Sequence, residues 1–204
     1  MLVRPDDITV TRFRQRRETT TVFLVDASGS LATNRLAEAK GAIELLLADC
    51  YVRRDMVALL AFRGAGAELI LPPTRSLVRA KRGLRLLPGG GGTPLAAGLL
   101  AARDLVDNIA RRGGTPAMVL LTDGSANIAL DGAPGRARAM EDALAQARGL
   151  RLSGHATLLV DTAPRPAKLA RELADTLGAA YLAMPYADAA RLSRAVQSAM
   201  PVTG

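Results

Sequence analysis

The stretch Thr19–Ser30, TTTVFLVDASGS, joins a run of β-branched and apolar residues to an aspartate, two serines and a glycine. The unbroken apolar run Val22–Val25 suits a central strand covered on both faces. Gly29 permits a tight turn where that strand stops. Ligands of open α/β sheets bind beyond the carboxyl ends of the strands, so Asp26, Ser28 and Ser30 stand where a site is expected.

On the N-terminal side of this strand the sequence carries Arg4, Arg12, Arg14, Arg16 and Arg17 against the acids Asp6, Asp7 and Glu18. Residues 1–18 read as a basic arm, with ITVTRF as an edge-strand candidate. On the other side, Leu36, Ala39, Ile43, Leu47 and Cys50 recur at three and four, the spacing of one helix face that ends near Arg53-Arg54. Met56–Phe62 reads as a second buried strand and Gly64–Gly66 as a turn. Glu68–Leu71 reads as a short antiparallel edge strand stopped by Pro72-Pro73. Ser76–Leu86 is amphipathic: Leu77, Ala80 and Leu84 share one side, and Arg75, Arg79, Arg82 and Arg85 another, with no acid among them. Those four arginines are a candidate docking surface for an acidic partner.

The glycine-rich PGGGGTP of residues 88–94 delivers Thr93 to the start of a helix with the stripe Leu95, Leu99, Ala102, Val106 and Ile109. Pro94 suits its first turn and Gly113-Gly114 its end. Val119–Thr122 is a third buried strand that terminates in Asp123-Gly124. After the loop 125–135 come a helix through Met140, Leu144, Ala147 and Leu150, and a fourth strand at 155–161. A helix marked by Leu169, Leu173 and Leu177, a short strand at 180–183 and a closing helix through Leu192, Val196 and Met200, capped by Asp188, complete the pattern. Strands alternating with helices predict an α/β, doubly wound three-layer sandwich. Its central sheet is mostly parallel with one antiparallel edge strand, and helices cover both faces. The expected division is an arm at 1–18, one domain at 19–200 and a tail at 201–204.

Composition narrows the function. The 204 residues are 49% hydrophobic, enough for one substantial core. The net charge of +8 comes mostly from arginines scattered among acids, and aromatics are only 3%, so stacking platforms for nucleic acid are scarce. An acidic protein partner fits better. The single Cys50 excludes an internal disulfide and a cysteine metal cage. No long apolar window or signal-peptide core is present, so the expectation is a cytoplasmic protein without membrane insertion.

Asp26, Ser28, Ser30, Thr93 and Asp123 are all hard oxygen donors, which select Mg²⁺, Mn²⁺ or Ca²⁺ over zinc. Three hydroxyls and two carboxylates, acting directly or through water, leave a coordination position that an external carboxylate can fill. Other chemistries fit less well. PGGGGTP lacks a following GK[ST], so no bound nucleotide is expected. A phosphotransferase built on Asp26 wants a second acid where Ser28 stands. A serine hydrolase needs a nucleophile elbow and a histidine, and His155 opens a strand. Asp161 ends a strand as a turn or cap residue.

The DASGS of residues 26–30, Thr93 of GGGGTP and Asp123 of LLTDGS together resemble the three-part metal-ion-dependent adhesion site of von Willebrand factor type A domains. The resemblance implies that Ser28 and Ser30 ligate directly, that Thr93 joins in the ligand-competent state, and that Asp26 and Asp123 hold coordinated waters. Residues 61–99 and the segment from 160 onward further resemble the C-terminal domain of magnesium chelatase D subunits. That resemblance implies a non-catalytic role in ATP-driven insertion of Mg²⁺ into protoporphyrin IX for chlorophyll and bacteriochlorophyll. It also implies two partners, the AAA+ ATPase or I subunit and the porphyrin-binding or H subunit. D subunits carry an AAA+-like domain and an acidic, proline-rich linker upstream, and this sequence has neither, so an excised or separately encoded C-terminal domain is expected. The alternatives are a module of another AAA+ system, of cobalt-chelatase or MoxR-associated type, and a Mg²⁺-dependent phosphotransferase.

Overall fold

The computed structural model describes residues 18–28, 43–44, 47–87 and 89–184. Ser30, the arm before Glu18, Leu36, Ala39 and the expected closing helix with Asp188 lie outside the described residues. Strands β1 (Thr19–Asp26), β2 (Met56–Arg63), β3 (Gly66–Thr74), β4 (Thr115–Thr122), β5 (Ala156–Asp161) and β6 (Ala180–Ala183) form one sheet in the order β3-β2-β1-β4-β5-β6. Among the described residues every pairing is parallel except that of β2 with β3. The chain leaves β1 toward β2 on one side and returns to β4 on the other, so the carboxyl ends of β1 and β4 flank the switch point of the sheet.

Helices α1 (Leu77–Arg85), α2 (Leu95–Arg111), α3 (Arg136–Leu152) and α4 (Lys168–Leu177) join helical residues 43–44 and 47–53 in covering the sheet. Strand alternation sorts the core into two layers. Val22, Leu24, Met118 and Leu120 pack with the apolar faces of α2, α3 and α4. Phe23, Val25, Val119 and Leu121 pack with Ile43, Leu47, Cys50 and the α1 residues Ala80 and Leu84. The doubly wound architecture is thus present, and β1 is buried along all eight of its residues. No described helix is long and apolar enough to cross a membrane.

Three sequence expectations need correction. The edge strand does not stop at Pro72-Pro73 but runs to Thr74. Leu59 pairs with Leu71 and Val57 with Thr74, with a register shift between them, so both prolines fall in an irregularity on an edge strand where a missing N–H leaves no ladder bond unmade. The buried face of α3 is Ala139, Ala143, Ala147 and Leu150, while Met140 and Leu144 are half-buried. Small side chains there let α2 and α3 approach closely; a Cβ added at Gly149 would lie 2.6 Å from the Arg103 guanidinium. Likewise α4 buries Ala170, Leu173, Ala174 and Leu177, and Leu169 is 44% exposed. Ala143→Leu should therefore lower stability by about 1–3 kcal/mol through overpacking. Met140→Ala should cost less, and paired urea melts check the order.

The polar residues set aside as structural behave so. His155 Nε2 lies 3.0 Å from Asp107 Oδ1, tying the start of β5 to α2. Asp161 accepts from the amides of Ala163 and Ala167, each at 2.8 Å, and from the Tyr181 hydroxyl at 2.5 Å. It thereby fixes the loop that leads into α4. Cys50 is fully buried, and its thiol donates to Thr21 Oγ1 at 3.5 Å.

Candidate metal centre

Three loops converge at the switch point. Asp26 ends β1 and is fully buried. Its Oδ1 accepts the Ser28 amide at 2.9 Å, bending the chain directly after the strand, and its Oδ2 accepts the Thr122 hydroxyl at 3.2 Å. Thr122, the last residue of β4, in turn accepts the Gly124 amide at 3.1 Å. One buried hydroxyl therefore joins the two strand ends and shapes the turn that carries Asp123. Asp123 is half-buried, and its Oδ1 accepts both the amide and the hydroxyl of Ser125, at 2.9 and 2.6 Å. Among the described residues its Oδ2 has no hydrogen-bond donor.

The third loop brings Thr93, which is 2% exposed, against Ser28, which is 1% exposed; the Thr93 hydroxyl donates to Ser28 Oγ at 2.9 Å. Two glycine contacts make this approach possible. A Cβ at Gly92 would sit 2.4 Å from Ile128 Cγ1 and 2.8 Å from the Gly64 carbonyl, so the loop can thread between the β2–β3 turn and the loop after β4 only without a side chain there. The Gly90 amide also donates to the Ala27 carbonyl at 3.0 Å, holding the glycine loop to the end of β1.

Thr93 is clamped a second time by a residue that sequence reasoning misses. Asn127 Oδ1 accepts the Thr93 amide at 2.6 Å, while the Asn127 amide donates back to the Thr93 carbonyl at 3.2 Å. Asn127→Ala should leave that buried amide without its acceptor and weaken Mg²⁺ binding about tenfold, within the range for lost outer-sphere support. Asn127→Asp keeps the acceptor and should lose less, as calorimetric titration with Mg²⁺ would show.

The donor set fits a hard divalent cation. Oxygens 2.9 Å apart on Ser28 and Thr93 match the cis edge of a six-oxygen Mg²⁺ shell, about 3.0 Å for ligand distances of about 2.1 Å. Among the described residues no arginine or lysine pairs with Asp26 or Asp123. Burial pushes the Asp26 carboxyl up to about 6, against the hydrogen bonds from Ser28, with the nearby Asp123 charge adding and Thr122 opposing. Two neighbouring carboxylates without a counter-charge form a site that a cation would relieve. No three His, Cys, Asp or Glu side chains converge among the described residues, so the donors here are chiefly hydroxyls. Of the five residues expected to act together, Asp26, Ser28, Thr93 and Asp123 are gathered at this edge, and Ser30 is not among the described residues.

The basic set on and just before α1 is less free than its sequence implied. Arg75 bonds to Glu18, and Arg85 lies 3.6 Å from Glu44, acids that the fold brings from distant segments. Arg79 and Arg82 are exposed.

The profile of the von Willebrand factor type A domain matches residues 21–125, a span that holds all five candidate ligands. The chain is 56% identical over 200 residues to the magnesium-chelatase 60 kDa subunit of Cereibacter sphaeroides, covering 98% of this chain and 36% of that protein. It is 41% identical over 208 residues to the magnesium-chelatase 67 kDa subunit of Chlorobaculum parvum, covering 97% of this chain and 34% of that protein. The chain thus spans about a third of the length of the curated relatives it matches. Among solved structures, the vWF domain of the type V pili tip protein Mfa5 from Porphyromonas gingivalis matches with a TM-score of 0.72 at 12% identity, over 90% of this chain and 95% of that one. At that identity the likeness concerns the fold alone. The family profile and the shared fold agree: this chain belongs to the von Willebrand factor type A domain family.

Proposed function

We propose that the chain is a metal-dependent docking module of a magnesium chelatase, itself without a catalytic centre, that supports ATP-driven insertion of Mg²⁺ into protoporphyrin IX for chlorophyll and bacteriochlorophyll. The observation that carries this reading is the buried Ser28–Thr93 hydroxyl pair at 2.9 Å beside the buried Asp26, which has no cationic neighbour among the described residues. In this reading Ser28, Ser30 and Thr93 hold a divalent cation directly, and Asp26 and Asp123 orient its waters. When bound, the ion supplies a Lewis-acid position that an Asp or Glu of the AAA+ ATPase can fill. With mostly neutral direct ligands the site keeps the positive charge that attracts such a carboxylate. The exposed Arg79 and Arg82 add a basic surface for an acidic partner. The module thereby couples the ATPase, or I subunit, to the porphyrin-binding H subunit. Identity with subunits named magnesium-chelatase supports the assignment. Phosphoryl transfer from Asp26 is disfavoured, since both its oxygens already accept hydrogen bonds from the protein.

The test is capture of the recombinant ATPase subunit on the immobilised chain. Capture in Mg²⁺ should fall at least tenfold in EDTA and with Thr93→Ala, corresponding to about 1.4 kcal/mol or more. Equal capture under all three conditions refutes metal-dependent docking. Retention of a MoxR-type ATPase in place of the chelatase ATPase would assign the module to a different AAA+ system.

A further inference from the structure

An open groove of about 920 Å³ lies between α3 and α4, lined by none of the candidate metal donors, although the start of α4 rests on the turn at Gly124. Its walls are two helical stripes. From α4 come Lys168, Arg171, Glu172 and Asp175, and from α3 come Arg148 and Arg151, with Leu152 at 88% exposure. The charges on the two walls differ in kind. Lys168 and Glu172, like Arg171 and Asp175, stand four residues apart, so α4 carries its own compensating acids. Arg148 and Arg151 have none: the α3 positions three and four residues to either side of each hold no acid. Across the groove neither forms an ion pair among the described residues. Arg151 instead spends Nη1 on the Asp175 main-chain carbonyl at 3.3 Å, and Arg171 lies over the Tyr181 ring at 4.5 Å. The result is a surplus of positive charge beside an exposed leucine, along a track about 15 Å long set by the ten residues of α4.

We infer that this groove is a second docking site, separate from the metal centre, for an acidic peptide segment that also carries apolar side chains. A peptide suits it better than nucleic acid. Glu172 and Asp175 interrupt the basic lining, and a peptide can set neutral residues opposite them, whereas an evenly charged phosphate backbone cannot. Leu152 offers an apolar contact beside the arginines, and among the described residues no aromatic side chain lines the groove to stack a base.

The test is fluorescence anisotropy of the whole chain with a labelled eight-residue peptide of alternating Glu and Leu. Binding should weaken steeply from 50 to 300 mM salt and fall about tenfold or more in the double variant Arg148→Glu, Lys168→Glu. Both side chains are exposed, so the variant should keep the parent's circular dichroism and melting temperature. Binding should be unchanged in EDTA and in Thr93→Ala, which separates this site from the metal-dependent one. Affinity unaltered by the double variant, affinity lost in EDTA, or displacement by a single-stranded oligonucleotide at lower concentration than by unlabelled peptide would each overturn the inference.

Discussion

An Asp26→Asn chain should melt no lower than its parent in metal-free buffer at pH 7.5, and it should show no response to Mg²⁺. The carboxyl is fully buried, and burial pushes it up to about 6 from an ordinary 3.8. With the folded value above the unfolded one, the native state binds the extra proton between about pH 4 and 6. Stability contributed by this group is complete below pH 4 and is lost as pH rises through 6. Above pH 6 the parent therefore carries a penalty of about 3 kcal/mol for ionising Asp26 without a metal. Asparagine has the same shape and no charge. Its Oδ1 can still accept the Ser28 amide, and its amide can donate to a reoriented Thr122 hydroxyl, so little hydrogen bonding is lost. The stability difference between variant and parent should open between pH 4 and 6 and stay constant above. In the parent, Mg²⁺ at about 100 times its Kd should add about 2.7 kcal/mol at pH 7.5, and less at pH 5 where a proton competes. Thermal melts across pH with and without Mg²⁺ read all of this. A variant that keeps the parent's Mg²⁺ shift removes Asp26 from the site.

The parts of this site that can be read from sequence are those whose placement follows from strand direction alone. Asp26 and Asp123 each follow an apolar run, and parallel neighbours must bring such ends together. Thr93 is legible because glycines before it and Pro94 after it mark a loop entering a helix. Thr122 leaves a usable signal: it shares the face of Met118 and Leu120, the face to which Asp26 also belongs. Asn127 leaves none, because its bond to Thr93 depends on how the loop after β4 folds back over 34 residues of separation. The helix faces fail for a related reason. Periodicity weighted by side-chain size favours Met140, Leu144 and Leu169, yet packing in α3 and α4 selects neighbouring alanines, since closely set helices exclude the larger groups. The extended edge strand escapes notice because prolines end central strands but not edges.

Gly124→Ala should be the most damaging single methyl in the described fold. Gly124 sits at φ +78°, where a side chain is strained by about 1 kcal/mol. Space is the larger obstacle. The added Cβ would lie 2.4 Å from the Ala170 nitrogen, 2.5 Å from Ala170 Cα and 2.8 Å from the Leu169 carbonyl carbon, all of them main-chain atoms of α4. No rotamer change can relieve a contact with backbone, so either α4 or the loop must move. Ala170 is itself fully buried in the core, which resists the first option. The loss should reach about 3 kcal/mol or more, roughly 10 °C in Tm for a domain of this size. Moving the loop instead displaces the Gly124 amide from Thr122, and with it the hydroxyl that holds Asp26, so Mg²⁺ affinity should fall along with stability. Gly132→Ala is the matched control. Gly132 has φ +85° and no atom within 4 Å of an added Cβ, so it should lose only the conformational part, about 1 kcal/mol, and leave Mg²⁺ binding unchanged. Equal losses at the two positions, measured by urea melts and Mg²⁺ titration, would mean that the turn after β4 does not rest on α4 and that the metal edge is not braced from that side.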